Sequence, residues 1–340
     1  MRAALSILAP LGWLYARGAS LRRQAYARGL LRRHHLNSPV ISVGGLSVGG
    51  SMKTPVVVEL ARALSARGPK VGVLGHGYRG SDHGSLVVSD GSALLESSYR
   101  AGDEAVLIAH ELPGSPVVVG EDKAAAGTLL EERFGKRIVL VDSGFQHLRL
   151  FRDLDIVCVS EGDLGARVLP SGRLRESPRA LEFADLVFTD RASDGPRVAR
   201  LKAARPGDVF AIARTDFGFF PADGAGGEVK APTHAYVFCG IGHPQRLVSD
   251  TAAQGVSISG QRFFRDHHRY GPMDLGEVAA AASQAGALAA VTTAKDAVRI
   301  HGWPGPLPLL VLSARLEIEG LPAVLKRIDR VILARIKAGR

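Results

Sequence analysis

A chain of 340 residues with 46% hydrophobic and 22% charged residues is long enough for one large α/β domain or two smaller ones, and too apolar for a disordered polymer. Its two cysteines, Cys158 and Cys239, each sit inside an apolar run, so they read as buried thiols in a reducing compartment and not as a disulfide framework or a zinc spacing. The formal net charge of +10 is unevenly placed: residues 1–35 hold seven arginines, and no acidic residue precedes Glu59.

The arginines flank an apolar stretch over residues 3–16 that ends in Trp13 and Tyr15. It is shorter than the roughly 20 residues needed to span a bilayer, and Pro10 and Gly12 interrupt it. Three readings compete. A cleaved signal peptide has this order of charges but is the least favoured of the three. A helix packed on the domain is the second. The third is an interfacial anchor, with the apolar face and aromatics in the headgroup region and the arginines on an anionic membrane surface. The third is preferred. Nucleic acid is not expected as a partner, because no recognition motif or aromatic platform accompanies the charge.

From Pro39 onward, apolar runs of strand length alternate with helical patterns. The spacing predicts strands over 40–43, 71–74, 117–119, 138–141, 154–159 and 186–189, with helices over 54–67, 101–111 and 124–134. Continuous apolar strands alternating with helices imply a mostly parallel sheet covered on both faces. Residues 218–232 are rich in Gly, Ala and Pro and read as a linker. Beyond them, strands over 235–239, 256–259, 288–292 and 309–312 alternate with helices over 247–254 and 275–285, and a basic amphipathic helix over 322–337 closes the chain. The expected organisation is therefore a basic apolar segment (1–35), an α/β core (36–217), a linker (218–232) and a smaller C-terminal α/β domain that includes the final helix (233–340).

The strongest local signal lies between the first strand and the first core helix. Ser47-Val48-Gly49-Gly50-Ser51-Met52-Lys53-Thr54 follows an apolar strand ending in Gly44-Gly45. Glycines let successive backbone N–H groups point at one anion, a lysine neutralises phosphate charge, and a threonine hydroxyl is a magnesium ligand. The strict phosphate-loop pattern is not met, since Ser47 and Met52 stand at its two glycine positions. A glycine-rich turn with an incidental lysine is the plainer alternative. The fold class is accordingly α/β, a phosphate-loop NTPase-like mostly parallel sheet with helices on both faces, joined to the smaller C-terminal α/β domain.

Other polar clusters are weaker. Asp142 ends an apolar strand, and in a parallel sheet that places a carboxylate at the ligand-binding edge, where it can hold magnesium. Gly102-Asp103-Glu104 opens a helix, and Asp103 alone would pass for an N-cap. Residues 266–270 carry adjacent histidines without the spacing of a helical metal site, and a surface turn is equally compatible. Residues 171–176 put Arg173 and Arg175 beside Glu176, either a phosphate or sugar site or a solvated loop.

Taken in order along the chain, these motifs resemble the tetraacyldisaccharide 4'-kinases, which phosphorylate a lipid A precursor at the inner membrane of Gram-negative bacteria. The resemblance runs from the arginine-rich start through residues 43–55, 75–80, 102–104, 142–147, 169–176, 240–242, Asp266-His267 and residues 292–297. It implies an ATP- and Mg2+-dependent kinase acting on a tetraacyl disaccharide lipid at the cytoplasmic face of the inner membrane, with no obligate protein partner. It implies that Lys53 and Thr54 grip phosphates and metal, that Glu104 and Asp142 lie near the metal, and that Asp103 is the base on the sugar hydroxyl with His267 as its partner. It also implies that Tyr78, His147, Arg175 and Glu176 line the cleft. Two positions depart from the family pattern, Met52 for a glycine and Ser143 for a second aspartate. They leave open a weakened enzyme or a non-catalytic glycolipid-binding relative; a soluble NTPase switch is the alternative from another class.

Overall fold

The structure is a computed structural model that describes residues 9–49, 52–77 and 84–337. The chain divides into two compact units, one of residues 1–213 with 316–340 and one of residues 214–315.

In the first unit the strands are β1 (Val40–Gly45), β2 (Val71–Gly75), β3 (Leu86–Ser89), β4 (Val117–Val119), β5 (Ile138–Asp142), β6 (Leu154–Val159), β7 (Leu186–Asp190) and the start of β8 (Val209–Pro221). Their spatial order is β8-β7-β6-β1-β5-β2-β4-β3. Neighbours run parallel except for β3 against β4. β1 lies between β5 and β6, in a register that sets Val43 opposite Asp142 and Gly45 opposite Cys158. Every residue of β1, β5 and β6 is buried, as the uninterrupted apolar runs require of strands covered on both faces. The helices α1 (Ala9–Ala27), α2 (Lys53–Ser65), α3 (Asp103–Glu111), α4 (Lys123–Phe134) and α5 (Pro196–Ala204) belong to this unit. Part of its core is a cluster of Leu36, Val40, Leu74, Val118, Leu130, Val139 and Val141.

The second unit orders its strands β10-β9-β11-β12-β8. Here β9 (His234–Cys239), β10 (Ser257–Phe263), β11 (Ala289–Thr293) and β12 (Leu309–Ile318) are parallel neighbours, with α6 (Pro244–Ala253) and α7 (Pro272–Gln284) as the main helices. Its core gathers Val237, Cys239, Leu247, Val291 and Leu312 on one side and Phe238, Val278, Ala282 and Ala290 in a second cluster.

Two expectations about domain organisation are corrected. Residues 218–232 are not a linker between domains. Strand β8 carries the chain out of the first unit and continues to Pro221, and Val229 then donates its N–H to the Phe219 carbonyl at 2.8 Å, folding the segment back on β8 inside the second unit. The closing helix α8 (Leu321–Lys337) also belongs to the first unit, not to the C-terminal domain. Its buried face carries Val324, Ile328 and Arg335. Arg335 bonds Asp153 at 2.6 Å, Asp329 pairs with Arg67 at 2.6 Å, and Arg327 pairs with Asp208 at 2.5 Å, all three partners lying in the first unit.

Helix α1 packs on the first unit, as the second reading of the amino terminus expects. Gly12 and Arg23 are buried against the first unit, while Leu11, Trp13, Leu14, Tyr15 and Leu21 are exposed, Trp13 by 63%. Among the described residues no helix is long and apolar enough to cross a membrane.

Candidate active site

Strand β1 delivers the chain to the carboxyl edge of the first sheet, and α2 begins at Lys53. Gly49 has φ +103° and Met52 has φ 55° and ψ 21°. The Met52 side chain makes no capping bond, and a helix start is the kind of place that favours an anion. Left-handed backbone is the reason glycine is favoured at such a turn; Met52 adopts it regardless. The turn is braced from the side: Arg175 donates its N–H to the Leu46 carbonyl at 2.7 Å, and Val48 donates to the Arg173 carbonyl at 2.9 Å. Gly50 and Ser51 lie outside the described residues, as does Tyr78.

Thr54 donates its hydroxyl to Asp142 Oδ2 at 2.8 Å, across the β1–β5 register. Asp142 is 1% exposed. Burial, and next the Glu104 carboxylate, push its carboxyl above the usual range, while Thr54, the Lys53 ammonium and Ser143 pull it back. The Ser143 hydroxyl lies 3.3 Å from Asp142 Oδ1, and Ser143 itself is left-handed at φ 57°. Lys53 also reaches the Gly49 carbonyl at 3.3 Å. Asp103 and Glu104 occupy the first turn of α3, half-buried, after Gly102 at φ 87°. Thr54, Asp142 and Glu104 thus gather hard oxygen donors beside a cation and a helix start. That donor set suits Mg2+ carried by nucleotide phosphates, since Mg2+ prefers one or two protein oxygens plus phosphate oxygens.

Behind these groups lies a cation that the sequence did not single out. Lys123, at the start of α4, is 1% exposed. Its ammonium donates to the Gly120 carbonyl at 2.9 Å and to the Gly75 carbonyl, tying the ends of β4 and β2. Burial drives it down to about 8, against the pull of Asp142. His147 is driven down to about 3 by burial and then by Lys123, so it is neutral, and its ring lies 6.0 Å from that of His76, which burial also depresses. A cavity of ≈ 250 Å³ opens beside Lys123 and His147, with Arg22 and Arg149 among its walls. Glu176, expected to line the cleft, is 6% exposed and engaged by Arg23 and Gln146. The only local hint of Lys123 is the run Glu121-Asp122-Lys123, which reads as a solvated helix start; nothing in it announces burial.

In the second unit, His267 has φ 61° and donates its N–H to the Gly240 carbonyl at 3.1 Å. Lys295 Nζ lies 3.4 Å from His267 Nε2. Fully buried Asp296 accepts from Gly240 N–H at 2.9 Å, Tyr270 Oη at 2.8 Å and Thr293 Oγ1 at 2.6 Å, and pairs with Arg299. His268, its neighbour in sequence, is taken up by Asp274 at 3.0 Å and stacks on Phe264. Asp103 therefore stands in the first unit and His267 in the second.

Comparison with known proteins points one way. The family described as Tetraacyldisaccharide-1-P 4'-kinase matches residues 4–333. The chain is 41% identical over 310 residues to the tetraacyldisaccharide 4'-kinase of Geobacter metallireducens, covering 88% of this chain and 89% of that one. It is 39% identical over 341 residues to the enzyme of the same name from Geobacter sulfurreducens, covering 96% and 93%. A crystal structure of LpxK from Aquifex aeolicus, described as an "apo" form in complex with ATP, superimposes with a TM-score of 0.82 at 29% identity, covering 97% of this chain and 99% of that one. With a match across nearly its whole length and these relatives, the chain belongs to the tetraacyldisaccharide 4'-kinase family.

Proposed function

We propose that this protein transfers the terminal phosphoryl group of ATP to the 4'-hydroxyl of a tetraacyl disaccharide 1-phosphate, at the cytoplasmic face of the inner membrane. The observation that carries the reading is the Thr54–Asp142 hydrogen bond at 2.8 Å, set where β1 hands over to α2 beside Lys53. Transfer forms a bond from the 4'-oxygen to the γ-phosphorus and breaks the bond to the β–γ bridging oxygen, releasing ADP. Such a reaction asks for positioning and charge neutralisation more than covalent help. Lys53 and the N–H groups at the start of α2 hold the phosphates. Thr54, Asp142 and Glu104 are the residues that would hold Mg2+, which neutralises phosphate charge. Asp103 takes the hydroxyl proton, with His267 as the residue that supports it.

Neither departure from the family pattern removes what this scheme needs. Met52 already has the left-handed backbone a glycine would supply, and Ser143 keeps a hydroxyl beside Asp142. Attachment to the membrane is assigned to α1, where exposed Leu11, Trp13, Leu14 and Tyr15 neighbour Arg17 in a segment without acidic residues. An interfacial helix of this composition gains from apolar burial and from anionic headgroups together.

The test incubates the purified protein with labelled ATP, Mg2+ and a tetraacyl disaccharide monophosphate in micelles. A second phosphate on the lipid is the expected product. ATP hydrolysis indifferent to the lipid would favour an NTPase switch, and lipid binding without transfer would favour a non-catalytic relative.

A further inference from the structure

Helix α1 carries a side chain that neither membrane attachment nor the reaction scheme uses. Arg23 is 3% exposed, and its partner Glu176 is 6% exposed. The guanidinium donates through Nε to Glu176 Oε2 at 2.7 Å and through Nη2 to Oε1 at 2.6 Å. Nη2 also donates to the Phe145 carbonyl at 2.8 Å, and the guanidinium lies 3.9 Å from the centre of the Phe145 ring. Glu176 Oε1 accepts a further bond from Gln146 Nε2 at 3.1 Å, and the same amide donates to the Gly45 carbonyl at 3.0 Å.

Each group in this chain of bonds supports the nucleotide turn. Gly45 ends β1. Phe145 lies three residues past Asp142 and presses on Gly44 so closely that a Cβ at Gly44 would sit 2.3 Å from the Phe145 Cβ. Arg175, adjacent to Glu176, bonds the Leu46 carbonyl. A bidentate Arg–carboxylate pair removed from water has a fixed geometry. As a source of stability it is no better on average than packed apolar side chains, because desolvation offsets the attraction. Its direction and location, more than its energy, call for an explanation.

We infer that Arg23 is a positioning residue for the nucleotide site: through Glu176, Gln146 and the Phe145 carbonyl it holds residues 44–47 and the turn after Asp142 in place. On this reading α1 is a structural part of the nucleotide site and not a detachable anchor, and displacing it lowers the affinity for ATP. The inference rests on the nucleotide reading given above.

The experiment measures the dissociation constant of a slowly hydrolysed ATP analogue with Mg2+, together with the unfolding midpoint, for three full-length proteins. These are the wild type, Arg23→Lys, and the double variant Arg23→Met with Glu176→Met. The double variant leaves neither buried charge unpaired, while the Phe145 carbonyl loses its donor, so its midpoint stays within roughly 5 °C of the wild type and the binding assay is run where it is fully folded. Its affinity for the analogue falls about tenfold or more, since the brace is gone. Arg23→Lys keeps the charge without the fork and falls in between. Affinities within about twofold of the wild type in both variants would overturn the inference while leaving the nucleotide site standing. A loss that vanishes on cooling, where every variant is fully folded, would overturn it equally, by assigning Arg23 to stability alone. A wild type that binds no analogue would overturn the nucleotide reading and this inference together.

Discussion

Replacing Lys123 by methionine isolates the electrostatic cost of the most buried cation near the site. The ammonium is 1% exposed and is driven by burial from its ordinary value of 10.5 to about 8. That difference corresponds to roughly 3 kcal/mol between the two protonation states. The sign follows from proton counting. Below about 8 both the folded and unfolded chains carry the proton, and the folded chain bears the whole cost of burying the charge. Between about 8 and 10.5 the unfolded chain holds the proton and the folded chain has released it, so stability rises with pH in that window. Above the window the cost is gone. Lys123→Met abolishes this component. It also leaves the Gly75 and Gly120 carbonyls without their donor, at about 1–3 kcal/mol each, so near neutral pH the variant is expected to be close to the wild type or modestly less stable. The assay is urea unfolding of both proteins from pH 7 to 10.5. The wild type should gain up to about 3 kcal/mol on the variant across the range. A difference that stays flat within about 0.5 kcal/mol would mean that the ammonium is solvated, and would refute the burial argument.

Three further outcomes are expected. Lys53→Ala should lower kcat/KM at least about a hundredfold with the circular dichroism spectrum unchanged, because it removes phosphate charge neutralisation; near-normal turnover would place the nucleotide elsewhere. Met52→Gly should change the ATP Kd by less than about threefold, since the left-handed backbone that glycine would permit is already present; a much tighter Gly variant would mean that the methionine side chain obstructs the phosphates. Trp13→Glu combined with Leu14→Glu should release the protein from anionic vesicles in a sedimentation assay without moving the unfolding midpoint, because both side chains are exposed; undiminished sedimentation would move the membrane contact off α1.

The alternation of strands and helices was legible because its signals are local. An apolar run bounded by Gly or Pro is buried on both faces wherever it lies, and β4 and β6 fall on the residues the runs mark. Local reading also marked the segment between β1 and α2, since strand, glycines, lysine and threonine are contiguous, and it put Asp142 at the end of β5. It failed at β8, where Asp216, Gly218 and Pro221 interrupt the apolar pattern and the composition imitates a linker. The strand exists because it pairs with β7 and because Val229 closes back on Phe219, partners that composition does not reveal.

What the sequence by itself determined is most of the alternating strands and helices, the handover from β1 to α2, and the family to which the motifs point, because these depend on residues close together in the chain. What only the tertiary structure decided is which charged residues leave the solvent. Arg23 is one of seven arginines in the first 35 residues, and nothing nearby separates it from the other six. Its burial depends on Glu176, 153 positions away. Lys123 is buried because β2 and β4 end with two carbonyls that converge on it. Helix α8 joins the first unit through Asp153, 182 positions before Arg335. A buried charge requires a partner to offset its lost hydration. That partner is supplied by the fold, at a distance along the chain over which no local pattern carries information.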